Sequence, residues 1–475
     1  MTPEEFRRAG HVLIDWIADY RQRIDRLPVR AQVEPGEVRA SLPPGPPEAA
    51  EPLEAVLRDL DTLIVPGVTQ VQHPMHFGWF PSNASLASVL GDVASSGMGT
   101  LGISWESCPS LTEVEEVVCD WLRQLTGLSE AWSGTIHDTA STACVVAMIL
   151  ARERASELGK NAGGLQSAPA PLIVYTTSQA HSSVAKAVQL AGFGNDNLRL
   201  VDEDPYTRAM VPSALSSAIE ADLEAGSVPA GIVCSVGTTG TTAMDPVEEI
   251  AAIANRHHAW LHVDAAMAGS AMLLPECRHL WQGVEQADSL AWNPHKWIGT
   301  ILDTAMFYVR DVDFLERVMS TNPAYLRSSA DGNVTQYRDW GIPLGRRFRA
   351  LKLWFHLRLD GPDAIRHRLR RDLENARWFR EQVEAAENWE VVAPVELQTV
   401  CIRHVPFDSS GAPLSGESLD AHTLAWVEKI NASGDAFMSP SVLDGRWMVR
   451  VSIGVETTTR EHVARLWQLI RDAAE

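Results

Sequence analysis

Between residues 85 and 360 short apolar, β-rich runs alternate with helical stretches, and no other feature of this 475-residue chain narrows its fold so far. The runs fall at 172–175, 198–201, 232–236, 260–264, 289–292 and 305–309. Strands this short and this uniformly apolar are buried on both faces, and each intervening stretch is long enough to cross from one parallel strand to the next. The pattern predicts an α/β domain: a mostly parallel central sheet, helices on both faces, and a ligand site at the carboxyl ends of the strands.

The flanks read differently. Within residues 1–84, Phe6, Val12, Leu13, Trp16, Ile17 and Tyr20 recur at helical spacing, and a proline-rich spacer follows over 35–52. A helix and spacer of this kind have no core of their own. They are expected to lie on a second subunit, as in a homodimer, in preference to the core of the same chain. Residues 361–475 predict a small α+β C-terminal domain: a long helix to about 387, strands at 390–392, 400–404 and 448–452, and a closing helix over 459–473.

Composition excludes several classes of partner. A formal net charge of -21 disfavours nucleic acid and anionic membrane surfaces, and the basic run Arg346-Arg347-Phe348-Arg349 is too local to change that. The six cysteines form no CxxC pair, which predicts reduced thiols in a cytoplasm and no metal centre. Residues 1–8 mix acids with bases and lack an apolar stretch, so no secretory signal is expected there. The longest apolar run, 143–151, is too short to cross a bilayer.

The chemistry is concentrated at the ends of the predicted strands. Lys296 stands in Asn293-Pro294-His295-Lys296-Trp297 after an apolar run, a poor setting for a solvated surface charge. Asp264 ends another run and is followed by Ala265, Ala266, Met267, Ala268 and Gly269, which supply no cation to pair with it. Burying an unpaired carboxylate costs several kcal/mol, so a protonated heterocycle is an attractive partner. A lysine that holds an aldehyde as a Schiff base and a carboxylate that keeps a pyridine nitrogen protonated are the two groups pyridoxal 5'-phosphate (PLP) requires. Thr139-Ala140-Ser141 opens a predicted helix, where hydroxyls and free N–H groups can face a phosphate. Alone, such a segment is an ordinary helix cap; beside Lys296 and Asp264 it reads as a phosphate site. His181 follows a strand end, where a flat imidazole can stack on a pyridine ring, and Thr239 in Gly237-Thr238-Thr239-Gly240 reaches the same mouth.

These residues and their neighbours resemble the group II PLP-dependent decarboxylases, close to the aromatic-L-amino-acid decarboxylases of PLP fold type I (aspartate aminotransferase-like). The resemblance runs over nearly the whole chain. It includes His73-Pro74, Phe77-Gly78-Trp79-Phe80-Pro81, Ser104-Trp105, Thr112-Glu113-Val114-Glu115, Gln179-Ala180-His181-Ser182-Ser183, His262-Val263-Asp264-Ala265-Ala266, Asn293-Pro294-His295-Lys296-Trp297 and Pro343-Leu344-Gly345-Arg346-Arg347-Phe348. It implies Lys296 as the Schiff-base lysine, Asp264 as the pyridinium partner, His181 stacked on one face of the ring and Ala266 against the other. Thr139, Ala140, Ser141, Asn293 and His295 then form the phosphate and anchoring shell, with Thr239 beside the ring. The family usually carries serine or glycine where this chain has Asp138 and Thr139, and a carboxylate next to a phosphate is expected to turn away.

The resemblance also implies that Tyr325 is the catalytic-loop tyrosine. It would act across a dimer interface as the acid that protonates Cα once CO2 has left, in relay with His181. Trp79, Phe80, Leu101 and Ile103 match the wall of an aromatic side-chain pocket, and Gly345 matches members that accept indoles. The expected reaction is therefore decarboxylation of an aromatic L-amino acid, tryptophan ahead of phenylalanine, tyrosine and dihydroxyphenylalanine. An aldehyde synthase on the same scaffold is the alternative. Such members typically lose the loop tyrosine or the stacked histidine, and both are present here. A silent scaffold protein should have lost Lys296 or Asp264, and a transaminase lacks the Asn-Pro-His-Lys surround.

Overall fold

The computed structural model describes residues 1–321 and 332–475. It divides into two compact units, residues 1–81 with 377–392 and 401–475, and residues 82–376 with 393–400.

The larger unit is built on a seven-stranded sheet: β1 (Ser133–His137), β2 (Leu172–Thr177), β3 (Leu198–Val201), β4 (Val228–Ser235), β5 (Trp260–Asp264), β6 (Ser289–Trp292) and β7 (Ala305–Val309), in the order β1-β7-β6-β5-β4-β2-β3. Strands β2 to β6 pair in parallel, whereas β7 runs antiparallel to both β6 and β1, so β7 is the one reversed strand of this sheet. A mostly parallel α/β sheet is what the alternating pattern predicts. Strands β2, β5, β6 and β7 are buried along their whole length, which is why they read as continuous apolar runs. Helix Ala140–Ala155 crosses one face of the sheet. Its Ala143, Cys144, Ala147, Met148 and Ala151 share a core with Val174, Val233, Trp260, Ala291 and Phe307. Small residues on this helix let it lie close to the strands.

The smaller unit carries β8 (Trp389–Val391), β9 (Thr399–His404), β10 (Ser439–Leu443) and β11 (Arg446–Ser452), in the order β10-β11-β9-β8, and ends in helix Arg460–Ala474. The amino-terminal helix, Pro3–Arg23, starts with a capping box between Thr2 and Glu5. No residue of it is buried, and Phe6, Val12, Leu13 and Ile14 are exposed. Its later turns are tied to the chain that follows: Trp16, stacked on Tyr20 at 5.6 Å, donates Nε1–H to Asp61 at 3.2 Å.

Candidate active site

Four of the parallel strands deliver the candidate groups to one edge of the sheet. Register aligns Ser235 with Asp264 and Asp264 with Ala291, so β4, β5 and β6 end side by side. The turns beyond them are tied together by backbone bonds. Val236 N–H donates to Asp264 O at 2.9 Å, Asn293 N–H to Ala266 O at 2.9 Å, and Lys296 N–H to Asn293 O at 3.0 Å. Beyond β4 the chain turns at Gly237, whose φ is +85°, and runs to Gly240, where an added Cβ would stand 3.0 Å from Gln179 Oε1. The Thr239 turn therefore lies against the segment that carries His181.

Asp264 is 8% exposed, and its carboxylate accepts one backbone N–H, from Ala266 at 3.0 Å. Among the described residues it forms no ion pair. It acts electrostatically on His181, as does Lys296, which places all three within one field. His181 caps helix Ser182–Leu190: its Nδ1 receives Ser183 N–H at 3.2 Å and the Ser183 hydroxyl at 2.7 Å, which leaves the ring proton on Nε2. Desolvation by the surrounding walls lowers its pKa, Lys296 lowers it further and Asp264 opposes, so the ring is neutral near pH 7. The ring remains exposed in the open mouth.

The donor set fits PLP. Thr139 is the N-cap of helix Ala140–Ala155, yet its hydroxyl makes no capping bond; with Ser141 exposed in the first turn, the positive helix end is free to take a phosphate. Asn293 is 4% exposed and its Oδ1 has no hydrogen-bond partner among the described residues, an orphan acceptor in the turn that bears Lys296. His295 is buried and takes Thr304 N–H on Nδ1 at 3.0 Å, so Nε2 keeps its proton; burial first, then Lys296, pushes its pKa down to about 4. Asp138 is half-buried and lies within electrostatic reach of His137.

The residues expected to line the side-chain pocket fall in both units, and each group is described within its own. Leu101, Ile103 and Gly345 meet in the larger one: Gly102 and Arg346 exchange both backbone hydrogen bonds at 3.1 Å, and a Cβ on Gly345 would stand 4.0 Å from Leu101 Cδ1. Trp79 and Phe80 belong to the smaller unit. Trp79 is 52% exposed, adopts φ +50° and lies 5.1 Å from the Phe437 ring, while Phe80 sits under the Arg450 guanidinium at 4.9 Å. Tyr325 lies outside the described residues.

Sequence reasoning assigned no role to Asp245. It is buried, accepts Ser235 N–H and Met210 N–H at 2.7 Å each, and so fixes the turn after β4; burial raises its pKa to about 6. Its position ten residues past Ser235, in Met244-Asp245-Pro246, carries no signal that separates it from a surface turn. Glu115 and Arg346 were quoted only as parts of motifs, although they form a buried pair at 2.6 Å.

The model of the pyridoxal-dependent decarboxylase conserved domain matches residues 35–405. The chain is 40% identical to the phenylacetaldehyde synthase of Arabidopsis thaliana, over 100% of this chain and 96% of that protein. It is 38% identical to tryptophan decarboxylase 2 of Oryza sativa, over 100% and 95% respectively. The solved structure of Oryza sativa tryptophan decarboxylase with PLP and tryptamine superposes with a TM-score of 0.96 at 35% identity, covering 100% of this chain and 98% of that one. That of Catharanthus roseus tryptophan decarboxylase with L-tryptophan gives 0.92 at 34% identity, covering 100% and 99%. A chain with this mostly parallel sheet and these solved relatives is a fold type I PLP enzyme. This one belongs to the pyridoxal-dependent decarboxylase family, within the branch that acts on aromatic amino acids, and its cofactor is PLP.

Proposed function

We propose that the protein removes CO2 from aromatic L-amino acids to give the arylethylamine, with tryptophan preferred over phenylalanine, tyrosine and dihydroxyphenylalanine. The observation that carries this reading is Asp264: a carboxylate 8% exposed, at a strand end, with no ion pair among the described residues and in one field with Lys296 and His181. PLP, when bound, accepts the electron pair left on Cα as the carboxylate departs. The protein's groups do the rest. Lys296 would hold the cofactor aldehyde and release it to the substrate amine, Asp264 would keep the pyridine nitrogen protonated, and neutral His181 would face the ring. Thr139, Ser141 and the first-turn N–H groups take the phosphate, with Ala140, Asn293, His295, Thr239 and Ala266 as the surrounding shell. Tyr325 supplies the proton to Cα.

None of Trp79, Phe80, Leu101, Ile103 and Gly345 carries a charge, and residues of this kind favour flat rings over charged side chains such as glutamate. The glycine at 345 leaves room beside Leu101 for the wider indole. We also assign the working form as a homodimer in the cytoplasm. The exposed Phe6, Val12, Leu13 and Ile14 on a helix with no buried residue support the dimer, and six free cysteines suit a reducing compartment. Aldehyde synthesis is the second reading, favoured by the 40% identity to the Arabidopsis phenylacetaldehyde synthase.

Product analysis decides between them. PLP-loaded protein is incubated with equimolar tryptophan, phenylalanine, tyrosine, dihydroxyphenylalanine, histidine and glutamate, and products are identified by mass spectrometry. Tryptamine with CO2, formed fastest, is the expected result. Aldehyde with ammonia and peroxide would establish the second reading, and amines only from histidine or glutamate would overturn the aromatic assignment.

A further inference from the structure

Among the described residues β1 has a neighbouring strand on one side only, and its other edge has to be covered. Side chains rather than a strand cover it. Ile136 N–H donates to Glu115 Oε1 at 2.8 Å, Arg346 Nη2 donates to Ile136 O at 2.9 Å, and the Tyr337 hydroxyl donates to Gly134 O at 3.2 Å. Arg346 Nη2 also donates to Glu115 Oε1 at 2.6 Å and to Thr135 Oγ1 at 3.1 Å, and the guanidinium lies 4.9 Å above the Tyr337 ring. Glu115 is 1% exposed and Arg346 8%. A buried ion pair of this kind is a weak source of stability but a strong constraint on position, because each partner left alone would be an uncompensated charge.

The pair also holds something beyond the strand edge. Arg346 is the residue whose backbone exchanges two 3.1 Å hydrogen bonds with Gly102, and that bridge is flanked by Leu101 and Ile103 on one side and Gly345 on the other. The same helix grips it twice. On Pro109–Thr126, Leu111 and Glu115 are four residues apart and share a face. Glu115 takes the Arg346 side chain, while Leu111 Cδ1 comes so close to Gly102 that a Cβ there would stand 2.6 Å away. The bridge can neither slide nor open without moving this helix.

We propose that Glu115 and Arg346 are positioning residues for substrate specificity. The ion pair fixes the spacing between Leu101 and Gly345, and so the width of slot offered to the substrate ring. The proposal rests on the aromatic-substrate reading and adds to it the element that sets the slot. Neither residue touches the reacting atoms. Loss of the pair therefore acts on KM and on the choice of ring, and leaves kcat for the best substrate nearly intact. Every hydrogen bond Arg346 makes to Glu115, Thr135 and Ile136 converges on Nη2, so one ammonium can replace the contacts and Arg346→Lys recovers most of what Arg346→Gln loses.

The test measures kcat and KM for tryptophan and tyrosine on the holoenzymes of wild type, Arg346→Gln, Arg346→Lys and Glu115→Gln, with amide hydrogen exchange at Gly102 and Arg346 on the same samples. Expected are a shift of about tenfold in the tryptophan-to-tyrosine ratio of kcat/KM for Arg346→Gln, carried by KM, faster exchange at both amides, and recovery in Arg346→Lys. Glu115→Gln keeps an acceptor and the side-chain shape, and serves where Arg346→Gln fails to fold. An unchanged ratio with both substrates slowed alike means a merely structural pair and overturns the proposal. Should wild type turn over neither amino acid, the substrate reading fails by itself, and the strut is then judged on exchange: unchanged protection at Gly102 and Arg346 overturns it too.

Discussion

The carboxyl-end mouth of the large sheet and the free edge of β1 belong to one unit, and they treat polar groups in opposite ways. At the edge, the unpaired backbone groups of Gly134 and Ile136 are met by Tyr337, Glu115 and Arg346. At the mouth, Asn293 Oδ1 has no partner, the Thr139 hydroxyl caps nothing, and Asp264 has one N–H and no cation among the described residues. The edge keeps an orphan of its own in Arg346 Nη1, but its backbone groups are closed, whereas the open groups of the mouth are ones that a ligand would complete. The candidate site lies at the mouth and not at the edge.

The sharpest way to break this comparison is to remove charge from the mouth. Lys296→Ala is expected to abolish the visible absorbance of the lysine-bound cofactor and to lower kcat by more than about 10³-fold, while Tm changes little because a half-buried lysine is lost from an open site. Asp264→Asn keeps the shape and the Ala266 bond but not the charge. It should retain the cofactor and lose on the order of 10²- to 10³-fold in kcat. A normal absorbance band in Lys296→Ala would sink the lysine assignment, and full activity in Asp264→Asn would remove the carboxylate from the mechanism.

A smaller effect separates two outcomes at the same mouth. With Tyr325→Phe the proposed proton donor is gone while binding and electron withdrawal are expected to stay intact. Amine formation should slow by about 10²-fold and the aldehyde fraction should rise as oxygen competes for the unprotonated carbon. Unchanged amine turnover would place the proton donor elsewhere.

How much of this was readable in the chain depends on whether a residue acts locally. Asp264 and Lys296 announce themselves because a charge at the end of an apolar run is out of place, and the six predicted runs each became a strand. The strand β1 was missed. Its Ser133–His137 sequence is short, begins with Ser-Gly and holds one aliphatic residue, and it is a strand because β7 pairs with it and the Glu115–Arg346 pair closes its edge. Strand β10 was missed for a different reason: Pro440 argues against a strand, and is tolerated because β10 lies at a sheet edge. The Asp444-Gly445 turn, with φ of +53° and +71°, was the overlooked hairpin signal. The Arg346 contact spans 231 residues, and no local pattern encodes it.

The smallest predicted effect compares the two regions by their histidines. His295 stands at the mouth, His137 at the end of β1, and His262 between them; burial pushes each down to about 4. In each case one nitrogen is already committed: Thr304 N–H donates to His295 Nδ1, His137 Nε2–H donates to Trp340 O at 3.1 Å, and His262 Nδ1 lies 2.9 Å from Ser289 Oγ. Trp260 Nε1–H donates to that same Ser289 oxygen at 2.8 Å, so the serine is shared between the indole and the imidazole. The unfolded chain binds protons at these sites below about pH 6.5, the folded one only near pH 4. Between those values the unfolded state carries more protons, so stability rises with pH and is lost as pH falls through the window, at up to about 1.4 kcal/mol per pH unit for each group. Thermal melts of wild type and His262→Gln from pH 7 to pH 4 should therefore converge on acidification, because the variant has one fewer histidine to be forced into charge. Melts that stay parallel across the window would mean that His262 keeps an ordinary pKa. The same series on His137→Gln would then tell whether the edge or the mouth sets the acid limit.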